Sequence, residues 1–136
     1  MNFKDKVVLI TGASSGIGRA SAIQFAKKGA TIILVSRRKE KLDQVDKDLK
    51  KFNVSTFVCE CDVSDKFQVK KISKTILEKY ESVDILVNNA GFAIHGSVSN
   101  LTIEEIESQM ATNYFGMVYC IKNFLPSMIK KKSGSF

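Results

Sequence analysis

Between an apolar run, Val7 to Thr11, and a helical stretch, Arg19 to Gly29, lies the segment Gly12-Ala13-Ser14-Ser15-Gly16-Ile17-Gly18. Glycines at 12, 16 and 18 in that setting leave few folds open. Gly12 permits a tight turn, Gly16 lets a bulky anion approach the backbone, and Gly18 lets helix and strand pack closely. The helix that follows points free N–H groups and a partial positive charge at the loop. That field contributes roughly 0.3–1 kcal/mol to a bound anion, and about 2 kcal/mol where partly buried. The hydroxyls of Ser14 and Ser15 add hydrogen-bonding capacity. A glycine trio alone is compatible with a mere connecting loop. A trio that follows a strand, opens a helix and begins a βαβ unit is the setting of a dinucleotide pyrophosphate. No Gly-Lys-Ser/Thr follows, which excludes a Walker-type loop.

The alternation continues along the chain. Strand-like runs at Thr31 to Ser36, Ser55 to Val63 and Val83 to Asn89 are separated by helical stretches at Arg37 to Phe52 and Ser64 to Ser82. Leu42, Val45 and Leu49 fall on one helical face, and Phe67, Val69, Ile72, Ile76 and Leu77 are expected inward in the next helix. Thr102 with Glu105 matches a capping box and predicts a long helix to about Lys132, kinked at Pro126. Strands this continuously apolar need cover on both faces. The fold class is therefore α/β: a Rossmann-type doubly wound parallel sheet, four βα units in strand order 3-2-1-4.

Composition removes several alternatives. Apolar runs such as Val7 to Ile10 and Ile32 to Val35 are far too short to span a bilayer. The first residues do not form a signal peptide, which leads to the expectation of a cytoplasmic protein. Three cysteines and one histidine make a poor metal site, and none is expected. Net charge is +7, but the lysines are scattered and no aromatic-studded basic strand accompanies them, so no nucleic-acid partner is expected.

The end of the second strand indicates which dinucleotide is bound. An acidic residue there would bind the ribose 2′-hydroxyl and select NAD. The position holds Ser36, followed by Arg37 and Arg38. No carboxylate repels a 2′-phosphate, and a guanidinium, Arg37, is placed to hold one. Such a bond contributes roughly 1.5–3 kcal/mol, a ten- to hundredfold preference. The expected cofactor is NADP (NADPH).

These motifs together resemble the short-chain dehydrogenase/reductase family. The resemblance rests on Thr11 to Gly18, on Cys61-Asp62-Val63-Ser64-Asp65, on Asn88-Asn89-Ala90-Gly91, and on Asn113 within Ala111 to Gly116. It implies that Asp62 and Val63 contact the adenine, that Asn89, Ala90 and Gly91 lie along the adenosine and ribose, and that Asn88 helps hold the sheet. It places Ile17 near the nicotinamide, and Asn113 in the catalytic group through a water held on its carbonyl. Structural readings stay open beside these: Asp62 as a helix cap, Asn88 to Gly91 as only a turn, Asn113 as a packing residue. His95 is assigned no chemistry.

The family's reaction is hydride transfer between nicotinamide and a small-molecule carbonyl or alcohol, with a Tyr-x-x-x-Lys pair and a serine supplying acid/base chemistry. The tyrosines here are Tyr80, Tyr114 and Tyr119, followed four residues on by Asp84, Val118 and Asn123. The expectation is a single domain, residues 1–136, truncated before the catalytic Ser and Tyr-x-x-x-Lys segment and inactive by itself. A bare β4 edge and poor stability of the isolated chain are expected with it. The alternative is a non-catalytic NADPH-binding module. For the full-length protein the resemblance implies a homo-oligomer, dimer or tetramer.

Overall fold

The computed structural model describes residues 2–136. The elements run β1 (Val7–Thr11), α1 (Gly16–Lys27), β2 (Thr31–Ser36), α2 (Lys39–Leu49), a 3-10 turn (Lys50–Phe52), β3 (Thr56–Glu60), α3 (Lys66–Tyr80), β4 (Ile85–Val87), α4 (Ile103–Met110), a π-helical segment (Ala111–Gly116) and α5 (Met117–Lys131). The four strands form one parallel sheet in the order β3-β2-β1-β4.

Alternation along each strand sorts the core. Val8, Ile10, Ile32 and Leu34 pack with Ala22, Ala26, Leu42, Val45 and Leu49 under α1 and α2. Leu9, Ile33, Val35 and Leu86 pack with Val69, Ile76, Cys120, Phe124 and Met128 under α3 and α5. Successive strand side chains point to opposite faces, so both faces of β1 and β2 are apolar and both are covered. Fully burying each large aliphatic or phenyl group contributes about 1.5–3 kcal/mol. Cys59, Cys61 and Cys120 are buried in the second cluster. Burial pushes their thiols up, to about 11 for Cys59 and to about 12 for Cys61 and Cys120.

Several features differ from those read in the sequence, and Phe67, expected inward, is 73% exposed. The long C-terminal helix opens at the Thr102 capping box as expected, with Glu105 N–H donating to Thr102 Oγ1 and Thr102 N–H to Glu105 Oε2. Its departure from α winding falls at Ala111–Gly116, while α5 runs on through Pro126 to Lys131. α5 ends on a left-handed residue, Lys132. Gly134 serves close approach: a Cβ there would lie 2.6 Å from Met128 Cγ. Nor is the edge of β4 wholly bare. Leu86 N–H donates to Ser135 O and Ser135 N–H donates to Asp84 O, which sets one rung of a parallel ladder along β4.

Candidate dinucleotide site

The strands are parallel, so the turns after β1, β2, β3 and β4 all emerge at one end of the sheet. They enclose a cavity of about 420 Å³. The turn after β1 is left-handed at Gly12 and Gly16, with φ of 65° and 53°. A Cβ on Gly12 would sit 2.9 Å from Ala90 Cα, and one on Gly18 would sit 2.4 Å from Gly12 O. Gly18 is thus the packing contact between α1 and the loop, lying beneath the cavity rather than lining it.

Thr11 and Asn89 stitch the first and fourth turns together. Thr11 Oγ1 accepts from Asn89 N–H and Ala90 N–H, both at 3.0 Å. Asn89 Nδ2 donates to Thr11 O at 3.1 Å and to Gly12 O at 3.3 Å. Four backbone groups that no ladder satisfies are paired in this way, which holds the cradle's shape without a ligand. Asn88 to Gly91 is therefore a turn with a partner, not only a turn.

At the other end, Arg38 reaches across the cavity. Its Nη2 donates to Ser14 Oγ at 3.3 Å and approaches Ser15 Oγ at 3.5 Å, while its N–H donates to Ser36 Oγ at 3.3 Å. Arg37 lines the same end. Both arginines precede α2, whose N-cap is Arg38, and so belong to the turn and not to the helix. Asp62 lines the wall between. Its Oδ1 accepts from Ser64 N–H at 3.0 Å and Ser64 Oγ at 2.7 Å. The cap of α3 is Asp65, which accepts from Phe67 N–H and Gln68 N–H. Those bonds hold the Asp65 carboxyl below its ordinary range, and Asp62 is left at the cavity's edge.

Asn113 stands one layer behind the wall. Its Oδ1 accepts from Phe92 N–H at 2.9 Å and its Nδ2 donates to Phe92 O at 2.7 Å. It lies in the π segment, a kind of irregularity often found at functional sites. Gly116, in the same segment, would place a Cβ 2.7 Å from Val63 Cγ2, so the segment is packed directly on the third turn.

Of the residues singled out in the sequence, Gly12, Ser14, Ser15, Gly16, Ile17, Arg37, Asp62, Val63, Asn89, Ala90 and Gly91 line the cavity. Gly18 and Asn113 support it from outside. The cavity also gathers Ser36, Arg38, Cys61, Phe92 and Thr112, which had not been assigned to it. Arg38 and Phe92 each adjoin an assigned residue. Thr112 adjoins Asn113, but the sequence did not tell which residue of that segment faces the cavity.

The sequence model of short chain dehydrogenases matches residues 6–136 of the chain. The chain belongs to the short-chain dehydrogenase family. It is 39% identical over 135 residues to a fatty acyl-CoA reductase of Acinetobacter baylyi, spanning 98% of this chain and 46% of that one. Among solved structures it resembles an alcohol dehydrogenase from Thermococcus sibiricus complexed with 5-hydroxy-NADP, at 33% identity and a TM-score of 0.91, covering 96% of this chain and 56% of that one. It also resembles an NAD+-bound xylitol dehydrogenase at 26% identity and a TM-score of 0.94, covering 98% of this chain and 52% of that one. This short-chain dehydrogenase chain thus spans about half the length of the relatives it matches. Among the described residues, no helix is long and apolar enough to cross a membrane.

Proposed function

We propose that this chain holds NADP(H) in the crevice and forms the cofactor-binding half of an oxidoreductase acting on a small-molecule carbonyl or alcohol. The observation that carries the cofactor choice is the pair Arg37 and Arg38 at the end of β2, with Ser36 where a carboxylate would select NAD. The free N–H groups at the start of α1 receive the pyrophosphate, and the arginines receive the 2′-phosphate. Ser14, already within reach of Arg38, completes that corner. Asp62 and Val63 take the adenine, and Asn89 to Gly91 the adenosine and ribose. Ile17 borders the nicotinamide end. When bound, the cofactor supplies a hydride donor or acceptor.

Asn113 belongs to the catalytic group in this reading, holding a water on its backbone carbonyl. In this reading the acid/base pair comes from outside these 136 residues; among the described residues no tyrosine lines the cavity. The chain by itself then binds NADPH without turnover. The full-length protein is a cytoplasmic homo-oligomer in the same reading.

Titration with NADPH and NADH, followed by nicotinamide fluorescence, tests the cofactor choice. NADPH should bind at least about tenfold tighter. Replacing Arg37 and Arg38 together by Ala should remove most of that difference and leave NADH nearly unaffected. Equal dissociation constants in the unaltered chain overturn the NADP reading. Enzyme against module is decided by recombining the chain with a homologous C-terminal half: recovered turnover of a carbonyl substrate supports the enzyme, and binding without turnover supports the module.

A further inference from the structure

The loop after Gly91 leaves the cavity with little regular structure, yet its first residues are held in place. Asn113 pairs with both backbone groups of Phe92. One helical turn earlier, Gln109 Oε1 accepts from Ile94 N–H at 2.9 Å. The orientation of the Gln109 amide is fixed, because its Nε2 donates to Glu105 O at 3.2 Å. Two side-chain amides four residues apart therefore grip alternate residues of the loop, as a neighbouring strand would.

We propose that Gln109 is a positioning residue for the dinucleotide. It acts through Ile94 to hold the Gly91–Phe92 wall of the cavity, on a different turn from Arg37 and Arg38. Asn113 alone fixes one residue, about which the loop can pivot; the second bond at Ile94 removes the pivot. Without it, Ile94 N–H is half-buried and unpaired, and the loop must shift to find water. The wall moves with the loop, and Thr112, next to Asn113, faces a wider crevice. The effect is confined to that wall, because the turns at Ser36–Arg38 and Gly12–Gly16 share no bond with Gln109 or Ile94.

This assignment rests on the dinucleotide reading above, and two probes separate the two. NADPH spans the crevice, whereas 2′,5′-ADP lacks the nicotinamide half and meets the Gly91–Phe92 wall at Gly91 alone. Gln109→Met keeps length and helix propensity but loses the acceptor. It should weaken NADPH by about fivefold and 2′,5′-ADP clearly less. Gln109→Glu, which keeps an oxygen for Ile94 N–H but sets its other carboxylate oxygen against Glu105 O, should recover part of the loss. Unchanged NADPH affinity in Gln109→Met, or equal weakening of both probes, overturns the role of Gln109. An unaltered chain that binds neither probe overturns the dinucleotide reading itself. Hydrogen exchange in the unaltered chain gives a check that needs no variant: NADPH should slow exchange at Ile94 N–H more than 2′,5′-ADP does. Equal exchange under both probes counts against the proposal.

Discussion

At the scale of single residues, the glycines of the first turn separate two physical demands. Gly16 has φ of 53° and open space around it, so Gly16→Ala meets only left-handed strain, about 1–2 kcal/mol. Gly18 would place a Cβ 2.4 Å from Gly12 O and 2.5 Å from Asn89 Nδ2, and backbone cannot move aside cheaply. Gly18→Ala should therefore lower stability by about 3 kcal/mol or more, measured by urea denaturation, and clearly exceed Gly16→Ala. The thiols supply a second residue-scale expectation. Burial holds Cys61 and Cys120 near 12 and Cys59 near 11, so little thiolate exists at pH 8. A chromogenic thiol reagent should react with the native chain only as it unfolds, and rapid labelling at pH 8 would contradict the burial. These roles were unequally legible. The spacing already assigned Gly12 to a tight turn and Gly18 to close packing; that Gly12 is crowded as well required the neighbouring Ala90 and Asn89.

Elements inherit their ends from local chemistry, and there the sequence was most explicit. Thr102 and Glu105 satisfy each other's backbone N–H groups, as their spacing implied. Thr102→Ala should cost about 1 kcal/mol, with Thr102→Ser restoring most of it, read from thermal melts by far-UV circular dichroism. The winding after that start was not legible. Ala111 to Gly116 has no proline and no obvious breaker other than Gly116, yet it adopts π geometry. Asn113 is bonded to Phe92, and Gly116 lies against Val63. Those contacts come from loops some twenty and fifty residues away, and helix propensity carries no information about them.

For the whole molecule, Asp84 joins parts that are distant in the chain. Its buried carboxylate accepts from Val7 N–H at 2.9 Å and from Lys131 Nζ at 2.8 Å, with Lys6 at 3.8 Å, and its carbonyl accepts from Ser135. Burial acts to raise its pKa, but the bonds from Lys131 and Val7 outweigh that and leave it below the ordinary 3.8. A folded pKa below the unfolded one gives stability that is fully present above about pH 4 and is lost as pH falls through the lowered value. Asp84→Asn should lower stability at pH 7 by about 1–2 kcal/mol, since Lys131 is half-exposed, and should flatten the acid limb of the stability profile between pH 4 and 2. An unchanged acid limb would remove Asp84 from that role. The sequence by itself determined the alternation of elements, the glycine cradle, the strand order and the helix caps, because period, turn chemistry and capping are written within a few residues. Only the tertiary structure decided that Arg38 is the arginine that reaches Ser14, that Thr11 ties the turn at Asn89 to the turn at Gly12, and that Gln109 grips Ile94. Such contacts join segments brought together by the packing of the sheet and its helices, and no local pattern encodes which side chain will face which.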